Sequence, residues 1–185
     1  EVNCLAVDRD GDIWVGTGLP WEYNPNKGGL FQLNPETEKL TAYLHDPNNP
    51  NSLSDNRVGA IFEDSRANFW VGTMGDGLQK LDKKTGQFTR YPFLPNQPHQ
   101  LSRPFLTLDK TVDVNYSQVG FIHEDPENKL WIGAFYGGLN VYDPILQRQT
   151  HIEQNAPFQS GLTTNYIWDI LQTEDQSIFI CTGGN

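Results

Sequence analysis

One motif is written four times in this chain, and no other feature restricts the possible folds as much. Asn68-Phe69-Trp70-Val71-Gly72-Thr73 recurs as Gly11-Asp12-Ile13-Trp14-Val15-Gly16-Thr17 and as Lys129-Leu130-Trp131-Ile132-Gly133-Ala134. A fourth copy, Ser177-Ile178-Phe179-Ile180-Cys181-Thr182, has phenylalanine as its anchor. Twelve residues before each anchor stands Val2, Val58, Val119 or Ile167, and nine before it Leu5, Ile61, Ile122 or Ile170. After the first three anchors come Gly29-Leu30-Phe31, Gly77-Leu78-Gln79 and Gly138-Leu139-Asn140, then a polar turn and a last short run toward Tyr43, Tyr91 or Ile152. Anchor spacings of 56, 61 and 48 residues show a constant frame with connections of variable length. Four short apolar runs per repeating unit are the signature of a β-propeller blade.

The fold class is therefore all-β, a β-propeller of four-stranded antiparallel blades with about three and a half blades present. The four strands of a unit, A to D, fall at 2–7, 12–16, 30–33 and 40–43 in the first and at 58–63, 69–72, 78–81 and 88–91 in the second. The third has them at 119–124, 130–133, 139–142 and 149–152, and the fourth has A and B alone, at 167–172 and 178–181. One incomplete propeller region covers 1–185, with blades at about 1–55, 56–116, 117–164 and, in part, 165–185. Runs such as Ala60-Ile61-Phe62 are apolar at consecutive positions, as expected of a sheet buried on both faces. The aromatic content of 12%, with 17 Gly and 12 Pro, fits many short strands joined by tight turns.

A formal net charge of −10 argues against a nucleic-acid partner, which would call for a basic stripe. No apolar run approaches the roughly eighteen residues that span a bilayer, so no membrane contact is expected from this segment. The chain begins with Glu1 and its first seven residues already belong to the first repeat, so it reads as part of something longer without a signal peptide of its own. Cys4 and Cys181 occupy non-equivalent places in the repeat and are expected to be free, buried thiols.

The A–B and C–D turns are short and nearly constant, whereas the B–C and D–A connections vary. Unit one inserts Gly18-Leu19-Pro20-Trp21-Glu22-Tyr23-Asn24-Pro25-Asn26-Lys27 between B and C, and unit two runs from 92 to 117 before its successor begins. In an up-and-down blade those two kinds of connection emerge at the same end, and loops held by a rigid scaffold are where binding residues gather. The candidate ligand-binding residues at that end are Trp21, Tyr23, Asp76 and Tyr136 from B–C loops, beside Met74 and Phe135. Arg57, Tyr116 and Tyr166, just before strand A, should ring the mouth of the central channel. Aromatic platforms among polar groups suit sugars or another small ligand; packing of loop against loop is the bland alternative.

Chemistry beyond binding has thin support. Asp8-Arg9-Asp10-Gly11-Asp12 has carboxylates at alternate positions like a calcium loop, but the equivalent turns keep only Asp64 and Asp125, which are expected to hydrogen-bond the turn backbone instead. His45, His99, His123 and His151 show no metal-ligand spacing, and no catalytic residue, metal or cofactor is expected. Asn115-Tyr116-Ser117 is a glycosylation sequon, a motif too short to weigh much.

Asn51-Ser52-Leu53-Ser54-Asp55-Asn56-Arg57-Val58, followed by Ile61-Phe62-Glu63-Asp64, Phe69-Trp70-Val71-Gly72-Thr73, Gly77-Leu78 and Thr85-Gly86-Gln87-Phe88, strongly resembles the two-component regulator propeller repeat. The resemblance implies a seven-bladed propeller in the periplasmic sensor region of a bacterial hybrid two-component system, whose cue would be an oligosaccharide from polysaccharide breakdown. By the same resemblance a β-sandwich, a membrane span and a histidine kinase would lie elsewhere in the complete protein. A half-propeller exposes two sheet faces, so either further propeller sequence or a second copy, as a homodimer, is expected to cover them. The rival functions are a propeller enzyme, a lyase or glycosidase acting on glycans, and a protein-binding scaffold.

Overall fold

The computed structural model describes residues 1–19, 24, 27–75, 77–94, 96–104, 118–135, 137–152 and 162–183, and these form fourteen strands and no helix. The first sheet contains β1 (Val2–Val7), β2 (Ile13–Thr17), β3 (Gly29–Asn34) and β4 (Lys39–Tyr43). The second contains β5 (Val58–Glu63), β6 (Phe69–Thr73), β7 (Gly77–Asp82) and β8 (Gln87–Tyr91). The third contains β9 (Val119–Glu124), β10 (Leu130–Ala134), β11 (Gly138–Asp143) and β12 (Arg148–Ile152). The fourth is the pair β13 (Ile167–Gln172) and β14 (Ile178–Thr182). Within every sheet the strands pair antiparallel in chain order, which is the blade topology the repeat requires. The expected strands all exist, with ends shifted by a residue or so.

The A–B hairpins of the first three blades are closed by the same clasp. The Asp8 carboxylate accepts the amides of Asp10 and Asp12 at 3.0 and 2.9 Å with one oxygen and the Trp14 indole N–H at 2.8 Å with the other. Asp64 does this with Arg66, Asn68 and Trp70, and Asp125 with Glu127, Lys129 and Trp131. The anchor's N–H is thereby satisfied where the ring is buried, which a tryptophan requires. In the fourth blade phenylalanine has no N–H to satisfy, and Thr173 replaces the aspartate. A left-handed residue ends each of these turns: Gly11 at φ 87°, Ala67 at 64°, Asn128 at 61° and Gln176 at 67°.

The cores lie between the blades. Trp14, Leu30, Val58, Phe69, Val71 and Phe88 fill the first joint, Trp70, Leu78, Val119, Leu130 and Ile132 the second, and Phe121, Leu139, Ile167 and Ile170 the third. Trp14 lies 4.3 Å from Phe69 of the next blade, centroid to centroid, and 5.7 Å from Tyr43 of its own. At roughly 25 cal/mol per Å² over about 200 Å² of ring surface, one buried anchor contributes about 5 kcal/mol of transfer free energy before entropy is set against it. The glycine two residues after each Trp anchor permits this approach. A Cβ on Gly16 would stand 2.4 Å from Cys4 Sγ and 2.7 Å from Val58, and one on Gly72 2.7 Å from Val119.

Burial on both faces, expected of every blade, holds only inside the arc. All five residues of β6 are buried, but on the outer blades Val2, Leu5 and Val7 are exposed, as are Leu171 and Phe179. Val2 is 58% exposed where its equivalents Val58, Val119 and Ile167 are fully buried, because it has no preceding blade against it among the described residues. The same position in the arc corrects the expectation for the thiols. Both cysteines are free, but Cys4 is only half-buried and Cys181, on β14 opposite Asp169, is exposed. Burial pushes the Cys4 thiol up to about 12.

Candidate functional site

Strand A of each blade carries a β-bulge at its second residue, and this fixes what stands at the end where the B–C and D–A connections emerge. The register shifts fall between Val2 and Cys4, Val58 and Ala60, and Ile167 and Asp169, with the matching irregularity in the third blade. The residue just past strand B closes onto the residue just before strand A: Gly18 N–H to Glu1 O, Met74 N–H to Arg57 O at 2.8 Å and Gly183 N–H to Tyr166 O at 2.9 Å. Each closure brings together a large and a small side chain. A Cβ on Gly59 would stand 2.6 Å from Met74 Cε, one on Gly120 3.2 Å from the Phe135 ring, and one on Gly183 2.3 Å from Trp168 Nε1. The large partners, Met74, Phe135 and Trp168, come one each from the second, third and fourth blades, and Phe135 meets Trp168 edge to face at 4.8 Å. Trp168 was not picked out from the sequence; the exchange of glycine between positions 59, 120 and 183 was the signal for it.

The D–A links run from the outer edge of one sheet to the inner edge of the next, and are strapped to the blade that follows. Phe88 N–H bonds Asn51 O, the Arg90 guanidinium bonds Ser52 O, and Ser54 N–H bonds Gln79 Oε1. Over the third blade Gln149 N–H bonds His99 O, Ser102 N–H bonds Gln149 Oε1 and the Asn140 amide bonds Ser102 O. Polar side chains that look available in the sequence are thus spent on holding the links. B–C and D–A connections touch one another at this end: a Cβ on Gly75 would lie 2.0 Å from Asp55 Oδ2, and one on Gly77 2.3 Å from Arg103 Cδ.

Of the seven candidate binding residues, Trp21, Tyr23, Asp76, Tyr116 and Tyr136 lie outside the described residues. Arg57 and Tyr166 do occupy equivalent places immediately before strand A, together with Glu1 and Gln118. Arg57 is held rather than extended. Its Nε and Nη2 bond Asp55 Oδ1 and Oδ2 at 2.9 and 2.7 Å, and its side chain is 14% exposed. Tyr166 is 39% exposed. Gln118 is fully buried and neither polar atom of its side chain has a hydrogen-bond partner among the described residues, an arrangement that costs free energy unless something answers it.

The opposite end is electrostatic. Lys83, in the C–D turn of the second blade, reaches back to Asp8 and Asp10 at 2.9 Å and to Glu63 at 3.0 Å. Although burial opposes it, the bonds from Trp14, Lys83 and the Asp12 amide hold the Asp8 carboxyl below its ordinary range, and the three carboxylates raise Lys83 despite its own desolvation. A polar cleft of about 880 Å³ between the first two blades opens beside this cluster, lined by Arg9, Asp12, Gln32, Lys80 and Lys84 among others. Asp8 thus serves the turn and the joint, and among the described residues no group of three or more metal-ligating side chains converges. The histidines are bonded to the scaffold, His45 to Leu53 O, His99 to Gln149 O, His123 to Gln172 and His151 to Asn140.

Residues 1–18 and 52–75 match the family model described as Two component regulator propeller, and these segments carry the A–B hairpins of the first two blades. No curated protein matches the chain. Among solved structures, the extracellular domain of a putative one component system from B. thetaiotaomicron aligns over 98% of this chain and 20% of its own length, with TM-score 0.67 and 23% identity. PorZ, a bacterial surface component of the type-IX secretion system of Porphyromonas gingivalis, aligns over 97% and 24%, with TM-score 0.65 and 15% identity. A catalytically inactive virginiamycin B lyase from Staphylococcus aureus aligns over 98% and 48%, with TM-score 0.57 and 15% identity. The chain therefore has the propeller fold and spans between about a fifth and a half of these solved chains.

Proposed function

We propose that this chain, whose first two blades carry the two component regulator propeller repeat, is part of the ligand-recognising region of a bacterial two-component sensor, that it works outside the cytoplasm, in the periplasm, and that its cue is an oligosaccharide. The observation that carries the reading is the division of labour between the two ends. Clasps and ion pairs fix one end, whereas the irregular connections, the aromatic pair Phe135–Trp168 and half-exposed Tyr166 gather at the other. Rings flanked by amides and a held guanidinium offer stacking and hydrogen bonds to a sugar. Recognition needs no chemistry here, since a ligand that prefers one of two arrangements of the protein already carries a signal. A lyase shares the fold, and turnover of a glycan is the outcome that separates the two readings.

The two exposed outer sheet faces fit further blades of the same kind. The test is calorimetric titration of the intact ectodomain with a panel of oligosaccharides from plant and host polysaccharides. At least one should bind, and Tyr166→Ala should weaken it about tenfold with unfolding unchanged. Failure of the whole panel, or turnover of a bound glycan, would sink the proposal.

A further inference from the structure

The joints between blades are not latched alike at the end opposite the candidate site. At the first joint Arg9 N–H donates to Glu63 Oε2 at 2.7 Å and the Arg9 guanidinium bonds Asp64 O at 2.7 Å, with Lys83 adding its three ion pairs. At the second, Ser65 N–H donates to Glu124 Oε2 at 2.6 Å, its hydroxyl bonds Oε1 at 2.9 Å, and Arg66 reaches Asn128 O. The device is the same each time: an amide of one blade's A–B turn is gripped by the carboxylate that ends strand A of the next, with an arginine alongside.

The third joint lacks every part of it. The residue equivalent to Arg9 and Ser65 is Pro126, which has no N–H to give. The residue equivalent to Glu63 and Glu124 is Gln172, which is neutral, and it meets His123 Nε2 at 3.3 Å instead. The arginine of the second joint, Arg66, is matched by Glu127, to which Lys129 is drawn within its own turn, and that of the first joint, Arg9, is matched by Pro126 itself. Three separate substitutions remove one function. A gap of about 280 Å³, lined by Pro126, Glu127, Gln172 and Gln176, opens at this place.

We infer that the joint between the third and fourth blades is the compliant one, at which the arc opens on this side while the edge-to-face contact of Phe135 with Trp168 holds the other end as a pivot. The sensing function proposed above would use such a joint, but the joint can be tested without any ligand. Amide hydrogen exchange is measured on this chain, on Pro126→Ser/Gln172→Glu, which writes the second joint's latch into the third, and on Ser65→Pro/Glu124→Gln, which does the reverse. The first variant should slow exchange in β13 about fivefold and the second should speed exchange in β9 by about as much, the effect of one partly exposed charge-assisted hydrogen bond. The comparison is within one strand, so the open flank of the fourth blade cancels. Unchanged exchange in β13 in the first variant would overturn the inference. Should that variant fail to fold, unchanged exchange in β9 in the second would do so.

Discussion

Replacing Lys83 by methionine keeps most of the stem and removes the ammonium, whose Nζ stands 5.7 Å from the centre of the Phe69 ring. Asp8 and Asp10 then lose their cation, while Glu63 keeps the Arg9 guanidinium at 3.3 Å. The Asp8 side chain is fully buried and that of Glu63 is 9% exposed, whereas Asp10 is 68% exposed and loses little. Breaking a fully buried pair costs about 3–5 kcal/mol and a surface pair about 0–1 kcal/mol. Asp8 keeps two amides and an indole, and the Lys83 side chain is 20% exposed, so an intermediate cost of about 2 kcal/mol is expected. For a chain of this size that is a fall in Tm of about 4–8 °C at pH 7. The pH dependence fixes the cause. The Asp8 carboxyl is lowered in the folded state, so its share is present above the ordinary carboxylate value near 4 and is lost as pH falls through the folded value. Lys83 is raised, so its share is present below the ordinary lysine value of about 10.4 and is lost as pH rises through the folded value. Thermal or urea unfolding of both proteins across pH should show a gap that is flat in between and closes in acid. A cost under about 0.5 kcal/mol at pH 7, or a gap that persists once the carboxylates are protonated, would refute the electrostatic account of this joint.

The cysteines should react separately: in native protein at pH 8 a chromogenic disulfide reagent titrates exposed Cys181 and leaves Cys4, whose thiol burial pushes up to about 12, until denaturant is added. Ala67 and Gly11 hold the same left-handed turn position at φ 64° and 87°. Ala67→Gly should therefore stabilise by about 0.5 kcal/mol and Gly11→Ala destabilise by about 1 kcal/mol, as measured by urea unfolding, because nothing lies within 4 Å of a Cβ at Gly11 and backbone conformation alone is at stake.

The strands and their grouping were legible in the sequence because packing between blades repeats, and repetition exposes the positions that packing dictates. The clasp was half legible: Asp8, Asp64 and Asp125 read as turn formers, but their bond to the anchor six residues on needed coordinates. The left-handed turn residues were legible only where glycine fills them. Glu38, Ala67, Asn128, Gln147 and Gln176 take positive φ because the hairpin geometry on either side leaves no other path. The candidate site was the least legible part, for a physical reason. Arg57 reads as a free cation at a channel mouth, yet Asp55, two residues earlier, turns its guanidinium back into the protein. The exposure of Cys181 was not legible, because a repeat frame says where a residue stands within a blade and nothing about which blades have neighbours.

That the anchors fill the joints means a sheet in this protein has no interior of its own. Separating the first sheet from the second by cutting the 44–57 link and diluting the halves would leave Trp14 and Phe69 facing water on different fragments, and neither fragment could recover the loss alone. The quantum of folding is then a pair of adjacent sheets with the seam between them. Insertions belong at loop tips far from any seam, and a minimal excised piece should be counted in seams enclosed, of which residues 1–183 contain three.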